Sequence, residues 1–244
     1  MAHLYFTESP IDASTTSVEL RGDEAHHAAQ VARLREGESI EISDGQGWRA
    51  AGTARLVSKS VVEVSVSNPV FEEPRQQTMT LVQALAKGDR DEMAVQASTE
   101  LGVARVIPWQ AERSISRWDG DKRAKGVARW QSIAREAAKQ SVRSRIPVVA
   151  DPVSTAQIVA ACDGATVLVL DPRAPVGIGE WARANLSATG IALVVGPEGG
   201  ISDAEVSILT AAGATAVHVG TDIMRTSTAG PAAIAALRAL LGEW

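Results

Sequence analysis

Along the first seventy residues, apolar and polar side chains alternate in short runs, the two-residue period of strands with one buried face. The runs predict strands over residues 3–6, 17–20, 39–43, 48–57 and 60–66, with one helix over 23–34. Asp44-Gly45-Gln46-Gly47, between two of these strands, supplies residues that tolerate positive φ in a hairpin turn. Residues 68–77, with Pro69, Glu72, Glu73 and Pro74, break both periodicities and predict a linker. A small β-barrel-like module at 1–72 is therefore expected ahead of a second domain at 73–244.

From Thr78 the pattern changes to apolar runs separated by longer stretches of helical period, the mark of an α/β domain with a mostly parallel sheet. Strands are predicted over 79–85, 105–109, 147–150, 166–170, 191–195 and 216–219. Helices are predicted over 91–101, 120–141, 155–161, 178–186, 202–212 and 228–241. Open sheets of this kind bind ligands at the carboxyl ends of their strands, so the loops there are the places to look for chemistry.

Three such loops stand out. Gly196-Pro197-Glu198-Gly199-Gly200 leads into Ser202, followed three residues later by Glu205, a capping box that fixes the helix start. Its glycines remove the side chains that would keep a flat ligand from the backbone amides, although a tight turn without a ligand also uses glycine. The second loop, Gly220-Thr221-Asp222-Ile223-Met224-Arg225, runs into Thr226, Ser227 and Thr228, each a candidate N-cap, with Pro231 in the first helical turn. Capping needs one hydroxyl, so three beside Arg225 are a surplus. The third loop, Asp171-Pro172-Arg173 after Leu170, carries a weaker signal.

Composition narrows the function classes. The single cysteine, Cys162, rules out an internal disulfide and fits a reducing compartment, with an inert buried thiol as its reading. No basic segment followed by an apolar run opens the chain, and no stretch is long enough to cross a bilayer. A soluble cytoplasmic protein without a membrane partner is expected. A Gly-x-x-x-x-Gly-Lys-Ser/Thr loop is absent and no Gly-x-Gly-x-x-Gly follows an early strand, which argues against a triphosphatase, a Rossmann dehydrogenase and an ordinary Rossmann-type methyltransferase. His3, His26, His27 and His218 have no metal-ligand spacing with the cysteine, so no metal is expected. The net charge of -5 weighs against nucleic acid, but residues 113–145 hold ten basic and three acidic side chains, a local +7 against -12 elsewhere. Such a run is either a solvated helix face or an RNA contact.

The loops resemble those of the knotted SPOUT methyltransferases and, among them, the RsmE family, which methylates ring nitrogen 3 of a uridine in 16S ribosomal RNA. That family carries a G-P-E-G-G loop, intact here, and a later L-G-P-x-x-L-R-T-E-T-A segment, matched by Val219-Gly220-Thr221-Asp222-Ile223-Met224-Arg225-Thr226-Ser227-Thr228-Ala229. Further similarity lies in Glu100-Leu101-Gly102-Val103, Glu112-Arg113-Ser114, Trp130-Gln131-Ser132-Ile133-Ala134 and, near the start, His26 with Val31-Ala32-Arg33-Leu34-Arg35. The resemblance spans nearly the whole chain. Thr221 stands for the usual proline, Ser227 for glutamate, Ala97 for lysine and Val142 for glycine.

The resemblance implies an N-terminal PUA-like β-barrel RNA-binding domain and a C-terminal α/β SPOUT domain with a deep trefoil knot, assembled as a homodimer. It implies S-adenosyl-L-methionine as cofactor, surrounded by Leu170, Gly196, Pro197, Glu198, Gly200, Gly220, Ile223, Met224 and Arg225, with Ser227 and Thr228 near its methionine end or capping the last helix. Arg225 is the candidate catalytic residue, stabilising the uracil anion, or else a tether to Glu198 or a backbone carbonyl. The general base is unassigned. His26, Arg33 and Arg35 of the first domain, with Arg113, Arg143 and Arg145 of the second, are the candidate contacts to 16S rRNA, within the small ribosomal subunit. A 2′-O or other-site methyltransferase of the same superfamily and a non-catalytic RNA-binding assembly factor are the alternative readings.

Overall fold

A computed structural model describes residues 3–244. Contacts divide the chain into two units, the first running to Pro74 and joined by Ala138–Ile146, the second made of Arg75–Ala137 and Pro147–Trp244.

The first unit contains β1 (Leu4–Phe6), β2 (Ser17–Arg21), α1 (Gly22–His26), a π-helical turn (His27–Val31), β3 (Ser39–Ser43), β4 (Trp48–Val57) and β5 (Val61–Phe71). Its sheet has the order β1-β3-β4-β5-β2, with β1 parallel to β3 and the remaining pairs antiparallel. Alternate residues Leu20, Ile40, Ile42, Val62 and Val64 close the core with Ala25 and Ala28 of the helical segment. The hairpin glycines Gly45 and Gly47 take φ of 74° and 122°. A Cβ at Gly47 would collide with the Arg145 guanidinium, which donates to the carbonyls of Gln46 and, at 2.7 Å, Glu72. Leu4 and Phe6 pack against Ala138, Val142 and Ile146, and a buried ion pair of 2.7 Å joins Lys139 to Glu24.

In this unit two predicted boundaries move by three residues or more. The helix stops at Val31 instead of residue 34, because Arg33 turns to φ 54°, a left-handed conformation that ends a helix. The expected linker begins later, because β5 continues to Phe71 through Asn68 and Pro69. Asn68 at φ 50° and the register shift between Arg49 and Ala51 form a bulge that absorbs the proline, and β5 has no β2 partner beyond Ser65.

The second unit contains β6 (Thr78–Ala84), α2 (Arg90–Glu100), β7 (Arg105–Trp109), α3 (Asp121–Gln140), β8 (Val148–Val149), a 3-10 turn (Thr155–Gln157) leading into α4 (Ile158–Ala161), and β9 (Thr166–Leu170). It continues with α5 (Ile178–Ala184), β10 (Gly190–Val195), α6 (Asp203–Ala211), β11 (Thr215–Val217) and α7 (Thr226–Leu240). The sheet order is β11-β9-β10-β6-β7-β8 and every pair is parallel. Both faces are covered, as such a sheet requires: Leu81, Leu193, Ile234 and Leu237 lie in one core, Val82, Ile107, Val194 and Leu209 in the other.

Helix α7 follows the edge strand β11 yet packs over the central strands β6 and β10. Gly230 permits this approach, since a Cβ there would come within 2.8 Å of Leu81 Cδ1 and 3.3 Å of Val195 Cγ2. At the other end of α7, the fully buried Arg238 donates to the carbonyls of Leu101 and Gly102 at 2.7 Å each and pairs with Glu243. The helix begins two residues earlier than predicted, with Arg225 in the N-cap position and no side chain capping it. Pro231 consequently falls in the second turn, where it denies the carbonyl four residues back its helical donor. Among the described residues, no helix is long and apolar enough to cross a membrane, and no group of three or more His, Cys, Asp or Glu could hold a metal ion.

Candidate active site

The three loops singled out above converge. They enclose a cavity of about 600 Å³ beyond the carboxyl ends of β9, β10 and β11, within the range of small-molecule sites. Leu170, Gly196, Pro197, Glu198, Gly200, Gly220, Ile223, Met224 and Arg225 all line it. Ser227 and Thr228 do not, and neither does Thr221. Two departures from the family pattern, Thr221 and Ser227, therefore lie off the wall.

The glycine loop is folded tightly onto itself. A Cβ on Gly196 would meet Ile201 Cγ1 at 2.6 Å and the Ile201 nitrogen at 3.3 Å, so glycine is required there for space. Gly200, at φ 72°, donates its amide to the Pro197 carbonyl at 2.8 Å. The predicted capping box closes the loop: Ser202 Oγ accepts from the Glu205 amide and Glu205 accepts from the Ser202 amide, both at 3.2 Å. Glu205 also accepts from the Glu112 amide at 2.8 Å, and Ser202 Oγ donates to the Glu112 carboxylate at 2.6 Å. This ties the segment after β7 to the glycine loop. Arg113, next along, donates to the Gly199 carbonyl at 2.9 Å and forms part of the wall.

Charged groups on the wall are mostly held in pairs. Glu198 accepts from the Lys87 amide at 3.1 Å and from Arg90 at 3.0 Å, not from Arg225. Burial raises its carboxyl, but its own amide, that of Lys87 and the Arg90 guanidinium outweigh this and hold it below the usual carboxylate range. Asp171 is gripped by both arms of Arg173, at 3.0 and 2.9 Å, and Arg173 reaches Asp203 at 2.5 Å. Those hydrogen bonds are the main reason the Asp171 carboxyl lies below its ordinary value. Arg225 lines the cavity, is exposed, and has no ion-pair partner among the described residues. Apolar surface comes from Leu170, Met224 and Ile223, the last 84 % exposed.

Thr226, read from the sequence only as a cap, instead joins the loops. Its hydroxyl donates to the Gly196 carbonyl at 2.7 Å and accepts from Gln83 Nε2 at 2.8 Å. Asp171 and Arg173 were marked in the sequence only as members of the weaker third loop, and Gln83 and Arg90 were not identified; the one available signal for Gln83 was an amide inside the apolar run of β6.

The candidate RNA contacts are distributed differently from expectation. His26, Arg33 and Arg35 are exposed on the first unit, and Arg143 and Arg145 group with that unit also. Much of the +7 segment is engaged within the protein: Arg129 with Glu92, Lys139 with Glu24, Arg117 and Arg123 with backbone carbonyls, and Arg145 as described.

Known proteins are similar to this chain in both sequence and fold. A family model described as an RNA methyltransferase domain matches residues 72–238, and one described as an RNA methyltransferase PUA domain matches residues 20–52. The chain is 38% identical to a Mycobacterium bovis protein named ribosomal RNA small subunit methyltransferase E, over 100% of this chain and 94% of that one. It is 32% identical to the Bacillus subtilis protein of the same name, over 95% and 93%. A crystal structure of the Neisseria gonorrhoeae methyltransferase E bound to S-adenosyl methionine superposes with a TM-score of 0.87 at 29% identity, covering 98% of each chain.

Proposed function

The chain belongs to the ribosomal RNA small subunit methyltransferase E family, and from that premise we propose that it transfers the methyl group of S-adenosyl-L-methionine to ring nitrogen 3 of a uridine in 16S ribosomal RNA. The observation that carries this reading is the convergence of the 196–200 and 220–226 loops on one cavity. The residues present fit the cofactor. Leu170, Ile223 and Met224 offer apolar surface to a purine, and the glycines leave backbone donors and acceptors uncovered for its polar edge.

When bound, the cofactor supplies a methyl group on a positively charged sulfur, for a displacement governed by alignment of the reacting atoms. The protein's part is to hold the two reactants and steady the charge that develops. Uracil nitrogen 3 must lose a proton before it is nucleophilic, and Arg225 is the cavity-lining cation left to stabilise the resulting anion. His26, Arg33, Arg35 and Arg143 bind RNA phosphates in this reading, as does Arg113 where Gly199 leaves it free, while Arg145 holds the hairpin at Gln46 and Gly47. A uridine in structured RNA has to be splayed out to react. The protein acts in the cytoplasm as a homodimer on the small subunit, with α7 drawn through an earlier loop as the family's trefoil knot.

The decisive assay incubates the protein with methyl-labelled S-adenosyl-L-methionine and unmodified small subunits, then identifies the methylated nucleoside by mass spectrometry. Label in 3-methyluridine is the expected result; label on a ribose or another base rejects the nitrogen 3 assignment.

A further inference from the structure

Gln83 is fully buried in a strand whose neighbours are apolar, and a leucine would fill its place without a polar group to satisfy. Among the described residues its amide oxygen has no hydrogen-bond partner, a state that costs about 1–3 kcal/mol. The amide nitrogen explains the retention. It donates to the Ala84 carbonyl at 3.1 Å and to Thr226 Oγ1 at 2.8 Å.

The direction of these bonds is forced. Ala84 offers a carbonyl, which can only accept, so the group turned toward it is the amide NH2. Its second hydrogen goes to Thr226, whose oxygen must then accept and whose own hydrogen is left for the Gly196 carbonyl, again only an acceptor. The relay thus links β6, the first residue of the glycine loop and the first residue of α7. Both cofactor loops are fixed at this one point.

Resting on the S-adenosyl-L-methionine reading of the cavity, we propose that Gln83 is a positioning residue for the methyl-donor site, acting through Thr226 to set the Gly196 peptide. The polarity of the relay matters, and not only its presence. A glutamate at this position keeps the shape but can reverse the polarity: ionised, it accepts the Thr226 proton and Gly196 loses its donor. Burial against the Ala84 carbonyl raises such a carboxyl, so at acidic pH it is protonated and again donates toward Thr226.

The test is calorimetric titration of S-adenosyl-L-methionine into the full chain and into Gln83→Glu, Thr226→Val and Thr226→Ser, from about pH 5 to about pH 9, with melting temperatures alongside. Thr226→Ser, which keeps the hydroxyl, should bind like the wild type. Thr226→Val should bind about tenfold more weakly at every pH, as loss of one buried partner implies. Gln83→Glu should show the same weakening at alkaline pH and recover as the pH falls. Variants that melt lower but keep the wild-type affinity and pH profile would reduce the relay to a structural one and overturn the proposal. A wild-type chain that fails to bind the cofactor would overturn the reading of the cavity itself.

Discussion

Arg90, Arg113 and Arg173 on the cavity wall are each held by a carboxylate or a carbonyl, whereas Arg225 among the described residues is not. A cation already on the wall and not committed elsewhere can meet developing negative charge without first breaking a bond. Arg225→Ala should therefore lower single-turnover methylation about 10²–10³-fold while cofactor affinity stays near that of the wild type; unchanged turnover removes Arg225 from the mechanism. Asp171 gives a pH prediction. Its carboxyl is lower in the folded protein than in the unfolded chain, chiefly through Arg173, so the pair stabilises above the unfolded value of about 3.9 and is lost as pH falls through the folded one. Asp171→Asn should flatten the acid limb of a denaturation profile and leave its neutral region shifted by a constant. At this scale the glycine loop was legible because glycine and proline announce backbone geometry directly. Gln83 and Arg90 were not, because their partners, Thr226 and Glu198, lie more than a hundred residues away in sequence.

Arg105–Trp109 and Thr166–Leu170, buried on both faces, have the bounds that periodicity predicts, and so does Trp48–Val57, where buried and more exposed positions alternate. The Ser202–Glu205 box also lies where the sequence put it, since its two bonds are local. Errors gathered where a tertiary contact overrode a local signal. The hydroxyl of Thr226 went to Gly196 instead of capping α7, and a bulge carried β5 past Pro69. Helix α7 is anchored at its far end by Arg238, whose guanidinium serves two carbonyls and the Glu243 carboxylate. Arg238→Met removes all three at once and leaves the mostly covered Glu243 with Arg75, at 3.3 Å, so the unfolding free energy should drop by about 3 kcal/mol in urea. A drop below about 1 kcal/mol would show that water replaces the guanidinium without loss.

The first unit is not a contiguous piece of chain. Leu4 and Phe6 find part of their packing on Ala138, Val142 and Ile146, and Glu24 finds its counter-charge on Lys139. A fragment ending at Pro74 should consequently show weak near-ultraviolet circular dichroism and poorly dispersed amide resonances, and fusing residues 138–146 through a flexible linker should restore both. A fragment that is well ordered without them would show that this packing is dispensable. No sequence period could have announced it, because it depends on where a distant helix ends. The sheet of the second unit has the same character on a larger scale: its central pair joins Thr78–Gly190 through Gln83–Val195, strands with most of the unit's other elements between them in the chain. Such a pairing must close a long loop before any contact rewards it, so folding should be slow and the middle of the sheet among the last parts to form. The glycine loop at Gly196 hangs from that middle, which makes ligand capture a clock: during refolding, the ability to bind should appear only with the slowest phase, after helical signal has already returned.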